Sequence, residues 1–222
     1  MPYTSPRLNK LKHYVFDHIQ KSDVQDPAHG KDHIMRVYEL GMQIGIKEKA
    51  NLEVLGASLL LHDVIRPTDA RSESTHALDS ARFAKEILPN FGYSEKEIED
   101  VINAIEKSSR SGGSNQIPET IEAKIVYDAD KADGAGKIGI ERAKTLWRKR
   151  FELEKKPYDE RIVARWYLLR AIDILKTQPG FTETGKRILA ERGKISIKYC
   201  KDVLGDDFNK IIDKELGDKK YY

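Results

Sequence analysis

The chain of 222 residues has little of what several protein classes require. Cys200 is its only cysteine, so neither an intrachain disulfide nor a thiolate zinc cluster can form. A secreted disulfide scaffold and a zinc finger are thereby excluded. Long apolar runs are missing as well. The most apolar run, Leu59-Leu60-Leu61, is far shorter than the roughly 20 residues of a membrane-spanning helix. The opening stretch Met1-Pro2-Tyr3-Thr4-Ser5-Pro6 lacks the basic-then-apolar order of a signal peptide. Charge of one sign does not dominate either. The 39 Lys+Arg and 36 Asp+Glu are interspersed and leave a net charge of +3, too balanced for charge alone to imply nucleic acid, which is not the expected partner. The expectation is a cytoplasmic soluble protein without a membrane partner.

What is present is helical periodicity. Leu8, Leu11, Val15 and Ile19 recur at three- and four-residue steps, and Ile34, Val37, Leu40, Met42 and Ile44 repeat the theme. Leu52 to Leu61 is apolar almost all round, the pattern of a helix buried in the middle of a fold. Further helices are expected over about 74–89, 94–107, 118–132, 137–151, 158–177, 181–200 and 204–215. Ser94 and Glu97 have capping-box spacing, Pro118 suits a first helical turn, and Pro179-Gly180 is a stop. No stretch alternates long enough to demand a strand. The fold class is all-α, one domain over 1–222, with a core of about 25–145 and an appended helical region over about 146–222. Loops are expected at 25–31, 66–72 and 108–116, the last rich in glycine and serine.

Chemistry concentrates at a few positions. The buried helix ends on His62-Asp63, and a carboxylate taken out of water must be paired or bind metal. An ordinary capping or ion-paired helix end is the alternative. His33 opens another helix beside a loop, where a ligand can face inward yet reach solvent. Asp130 lies four residues after Val126 and so projects from the same buried side. It sits among three carboxylates in Asp128-Ala129-Asp130-Lys131-Ala132-Asp133, which repel unless a cation or a basic group offsets them. Asp128 and Asp133 are expected to stand in solvent, with Asp130 alone turned inward. Two imidazoles and two carboxylates suit one divalent cation: manganese, iron, cobalt, nickel or zinc, with magnesium possible if water fills most positions. Open positions on such an ion suit metal-assisted hydrolysis.

The order His33, His62-Asp63, Asp130 resembles the HD-domain superfamily of metal-dependent phosphohydrolases. Asp32-His33-Ile34-Met35-Arg36-Val37 is similar to that superfamily's first motif, Ala57 to Asp63 to its second, and Glu122 to Lys131 to its last. Asp133 to Arg142 resembles a subgroup of small stand-alone bacterial and archaeal members. The likeness spans about 25–145. It implies His33, His62, Asp63 and Asp130 as metal ligands, Asp63 acting in catalysis with a water held by the cation, and phosphoesters or phosphoanhydrides, often nucleotides, as substrates. Two positions depart from the pattern. Arg66 stands where several hydrolytic members carry a glutamate, and Lys107-Ser108 replaces the His-Ser of many relatives. Lys107 is therefore a candidate for catalysis or phosphate binding, with Lys131, Arg66 and His76 as further substrate-binding candidates.

His29 is read as a turn residue and Arg36 as a structural partner of a carboxylate. Gly134-Ala135-Gly136-Lys137-Ile138-Gly139 spells G-x-G-x-x-G, but a helix precedes it where the dinucleotide fingerprint needs a strand, so it marks a helix-to-helix turn. The basic and aromatic stretch from Trp147 to Arg170 interleaves with acids, which suits a salt-bridged surface or a homodimer contact better than nucleic acid. The leading expectation is a phosphohydrolase acting on a small phosphorylated molecule, foremost a nucleotide. A non-hydrolytic metal-containing module that binds a nucleotide or nucleic acid is the rival, and a cyclic-nucleotide phosphodiesterase ranks third.

Overall fold

Each expected helix forms, and local chemistry sets where it starts and stops. In the computed structural model, which describes residues 3, 5–21, 30–65, 76–108, 117–177 and 179–216, the elements are α1 (Pro6–Lys21), α2 (Lys31–Glu48), α3 (Leu52–Leu61), α4 (His76–Ile87), α5 (Glu95–Glu106), α6 (Ile121–Asp133), α7 (Gly136–Leu153), α8 (Glu160–Thr177), α9 (Glu183–Leu204) and α10 (Asp207–Leu216). A short 3₁₀ turn, Leu88–Phe91, separates α4 from α5. No strand occurs among the described residues. The fold is all-α, and no described helix is long and apolar enough to cross a membrane.

The caps follow from side-chain chemistry. Asn51 accepts hydrogen bonds from the amides of Glu53 and Val54 at the start of α3. At α5 the Ser94/Glu97 capping box is complete in both directions. Helix α6 starts later than the sequence suggests. Thr120 Oγ1 accepts from the Ala123 amide at 3.2 Å and serves as the cap, which leaves Pro118 ahead of the helix.

The chain divides into two compact units. The first runs to Asp130 and is completed by Gly180–Gly185; the second comprises Lys131–Pro179 and the chain from Lys186 onward. In the first unit α3 is central, with every residue from Val54 to Leu61 buried, and it packs against α1, α2 and α5. The core gathers Leu8, Leu11, Val15, Ile34, Leu60, Leu61, Val101 and Ile105. Each such side chain contributes about 1.5–3 kcal/mol by leaving water. Helices α2 and α3 meet closely at Gly41, where a Cβ would overlap the end of the Leu59 side chain. That approach brings the start of α2 and the end of α3 together.

The second unit has its own core, formed by Ile140, Phe151, Val163, Tyr167, Leu168, Cys200 and Leu204. Its α6–α7 junction is the Gly-Ala-Gly turn. Gly136 adopts φ 71°, a backbone favouring glycine, and its amide donates to Ser196 Oγ at 2.8 Å. The Tyr167 hydroxyl donates to Gly134 O at 3.1 Å and lies 3.1 Å from Ser196 Oγ. Arg192 Nη1 donates to Ala132 O at 2.6 Å. At the surface Arg150 pairs with Glu154 and Arg161 with Asp207, the charge interleaving that the sequence suggests.

Two aspartates depart from expectation. Asp128 and Asp133 are buried rather than solvated. Asp133 accepts from Arg142 Nη1 at 2.7 Å. Asp128 accepts from the amides of Phe181 and Thr182, both at 2.8 Å, and from Thr182 Oγ1 at 2.7 Å. Burial still pushes the Asp128 carboxyl above its ordinary range, and these hydrogen bonds oppose it. Such partners, supplied by remote segments, replace water, which is why both carboxylates tolerate burial.

Candidate metal centre

Three segments of the first unit deliver the candidate ligands. His33 is the third residue of α2, His62 and Asp63 follow the last turn of α3, and Asp130 lies in the last turn of α6. His33 Nε2 is 3.6 Å from Asp63 Oδ2 and 3.5 Å from Asp130 Oδ1, while His62 Nε2 is 3.9 Å from Asp63 Oδ2. The donor atoms of His33, His62 and Asp130 all lie within 4.8 Å of one another. Asp63 joins this group through the two imidazoles. These separations exceed hydrogen-bond length, yet the three that involve His33 or His62 with a carboxylate fall within the reach of two ligands sharing one ion through bonds of about 2.0–2.2 Å.

His62 is the most informative member. Its Nδ1 lies 2.9 Å from Leu59 O, and a carbonyl can only accept, so Nδ1 carries the hydrogen. The neutral ring then has its lone pair on Nε2, inside the cluster. Burial holds the His62 imidazole below its ordinary pKa, and the nearby Asp63 and Asp130 pull the other way. The ring is thus disposed to be neutral, the form that ligates. Nε2 is buried and has no hydrogen-bond partner among the described residues. An orphaned buried acceptor costs about 1–3 kcal/mol, and a cation beside the two carboxylates would remove that cost. The donor set therefore fits a divalent ion.

His76, the first described residue of α4, is buried, and its Nε2 lies 3.6 Å from Asp63 Oδ1. The Asp63 carboxylate thus faces His33 and His62 with one oxygen and His76 with the other. This places His76 in the cluster's immediate surroundings. Lys107 caps α5, and its Nζ donates to Glu119 Oε2 at 3.3 Å. Lys131 follows Asp130 in α6 and is half-buried. Arg66 and His29 lie outside the described residues, as do the loop expected at 66–72 and all but the ends of those expected at 25–31 and 108–116.

Sequence reasoning missed what holds α6. Asp128, Thr182 and Glu48 form a connected set in the first unit, with Glu48 Oε1 accepting from the Thr184 amide at 3.1 Å. The signal in the sequence was slight: Ile125 and Ala132 lie one turn from Asp128 on its side of the helix, but so do Lys124 and Lys131.

Comparison with known proteins agrees with this geometry. Residues 30–135 match the model of the HD domain. Over 127 residues the chain is 34% identical to the uncharacterized protein YpgQ of Bacillus subtilis, covering 55% of this chain and 60% of YpgQ. An uncharacterized protein of Clostridium beijerinckii is 30% identical over 105 residues, covering 46% of this chain and 63% of that protein. The chain thus spans less than two thirds of the curated relatives it matches. Among solved structures, YpgQ in complex with ADP superimposes with a TM-score of 0.66 at 25% identity, covering 90% of this chain and 94% of that one. A predicted HD superfamily hydrolase from an uncultured Thermotogales bacterium gives 0.64 at 25% identity, covering 90% and 93%. With a matching domain model, the same helical architecture and the His, His-Asp, Asp order gathered in one place, residues 30–135 form an HD domain.

Proposed function

We propose that this protein is a metal-dependent phosphohydrolase that cleaves a phosphoester or phosphoanhydride bond of a small phosphorylated molecule, a nucleotide foremost. The observation that carries the reading is the convergence of imidazole and carboxylate donors on one another, with the buried Nε2 of His62 lacking a hydrogen-bond partner. The HD-domain match and the likeness to an HD superfamily hydrolase support the hydrolytic class, and the ADP bound by YpgQ supports the nucleotide. His33, His62, Asp63 and Asp130 would hold one divalent cation. When bound, that ion would polarise a phosphoryl oxygen and lower the pKa of water.

The chain's own groups do the remaining work. Leu59 O fixes the tautomer of His62 through Nδ1. His76, beside Asp63 Oδ1, orients that carboxylate and lies near enough to take or give a proton there. Lys107 and Lys131 offset negative charge on a phosphoryl group, and Arg66 is assigned the same task. Lys107 exchanges Glu119 for substrate phosphate, since its present partner is an exposed carboxylate and is readily displaced.

The test is incubation of metal-stripped protein with Mn²⁺ and a panel of nucleoside mono-, di- and triphosphates, with products resolved chromatographically and Asp63→Ala run alongside. Turnover that disappears in the variant is the expected result, and the products name the bond. Binding of nucleotide without products from any member of the panel would favour the non-hydrolytic module instead.

A further inference from the structure

Asp130 is the least buried donor of the cluster, with a side chain 23% exposed against 1% for His33 and 2% for Asp63. Packing therefore does less to aim it, and its direction depends on the rotation of α6 about its own axis. Two residues earlier, Asp128 projects from a different face, because two steps of an α-helix turn the side chain by about 200°. Its carboxylate is wholly buried and takes three hydrogen bonds, from the Phe181 and Thr182 amides and Thr182 Oγ1.

The segment that supplies them is itself fastened. Thr182 Oγ1 accepts from the Gly185 amide at 2.9 Å while donating to Asp128. The Thr184 amide donates to Glu48 on α2, the helix that carries His33. The Phe181 ring meets Tyr127 of α6 edge-on at 4.8 Å. Gly185 is required for the approach, since a Cβ there would overlap the Asp128 carboxylate. A strap from Phe181 to Gly185 thus connects the face of α6 away from the cluster to α2.

We propose that Asp128 is a positioning residue, which through its three hydrogen bonds to the 181–182 backbone and Thr182 locks the rotation of α6 and so aims Asp130 at His33. This rests on the metal-site reading above and deepens it. An α6 free to rotate by even a small angle would swing the Asp130 carboxylate away from the imidazoles, because the side chain lies several ångströms from the helix axis. A carboxylate that merely capped the start of α9 would contribute stability and leave the donor geometry untouched. The two roles differ in what they do to metal affinity.

The experiment is Mn²⁺ titration of the full metal-stripped chain, read by electron paramagnetic resonance of free and bound ion, with thermal unfolding measured in parallel. Asp128→Asn keeps the shape but turns an amide donor toward the strap's donors. It should weaken Mn²⁺ binding on the order of 10–100-fold, the range found when groups that orient metal ligands are replaced. Thr182→Val, which loses only the hydroxyl, should shift affinity in the same direction by less. Arg7→Ala, which destabilises through its lost ion pairs to Glu53 and Glu97 and alters neither Asp128 nor the strap, should leave Mn²⁺ affinity unchanged. Wild-type affinity in Asp128→Asn would overturn the proposal, and if that variant does not fold, unchanged affinity in Thr182→Val does so. Loss of binding in Asp130→Ala alongside such a result would leave the metal site standing. A wild-type chain that binds no Mn²⁺, or an Asp130→Ala variant that binds as well as wild type, would overturn the site reading and this proposal together.

Discussion

Replacing His62 by Asn isolates the metal-facing atom from the rest of the ring. The Asn carboxamide can place an N–H near the position of Nδ1 and keep the hydrogen bond to Leu59 O, seen at 2.9 Å, while nothing remains at Nε2. In the unfolded chain the donors on α2, at the end of α3 and on α6 are dispersed, so ion binding adds directly to folding stability. At a free Mn²⁺ concentration of 100 times Kd, the gain is about 2.7 kcal/mol. For a chain of this size each kcal/mol moves the midpoint by about 2–4 °C, which predicts an Mn²⁺-induced rise on the order of 5–11 °C. Removing one of four ligands and weakening Kd by about 100-fold leaves a gain of only about 0.4 kcal/mol at the same concentration, or about 1–2 °C. Without metal, the variant also sheds an orphaned acceptor, so its midpoint should stay close to that of the wild type. Circular dichroism melts of both proteins, with and without Mn²⁺, check this. An equal Mn²⁺-induced rise in the variant would refute the assignment of Nε2 as a ligand atom.

Other perturbations test the framework around the site. Arg7 and the Ser94 cap hold the Glu97 carboxyl down to about 2, below its unfolded value, so its stabilising contribution is full above the ordinary carboxylate pKa and lost as pH falls toward about 2. Acid titration of stability should accordingly be shallower in Glu97→Gln over that window, and a slope equal to the wild type's would contradict the pairing. Tyr167→Phe strips the hydroxyl from the Gly134–Ser196 contact and should destabilise by about 1–3 kcal/mol in denaturant melts, because buried partners lose their bond. Burial pushes the Cys200 thiol up to about 12. A chromogenic thiol reagent at neutral pH should therefore react at a rate set by unfolding, and fast labelling of the native protein would show the burial to be wrong.

The helices were legible in the sequence because each is encoded locally. Periodicity marks the buried faces, and signals such as Ser94/Glu97 or Pro179-Gly180 mark the ends within a residue or two. The order His33, His62-Asp63, Asp130 was legible for another reason: imidazoles and carboxylates at the ends of apolar helices demand a partner wherever the fold places them. Misjudgement fell on Asp128 and Asp133. From the sequence both look like helix-surface carboxylates, with Lys124, Lys131 and Lys137 within four positions of one or the other. Their partners, Thr182 and Arg142, are 54 and nine positions away. The sequence by itself determined an all-α chain and which residue types could hold a cation. Tertiary structure alone decided that Asp128 would be buried on the strap, that His76 would face Asp63, and that Nε2 of His62 would be left open toward the carboxylates. Those outcomes depend on distances between segments remote along the chain, and such distances exist only once the cores have packed.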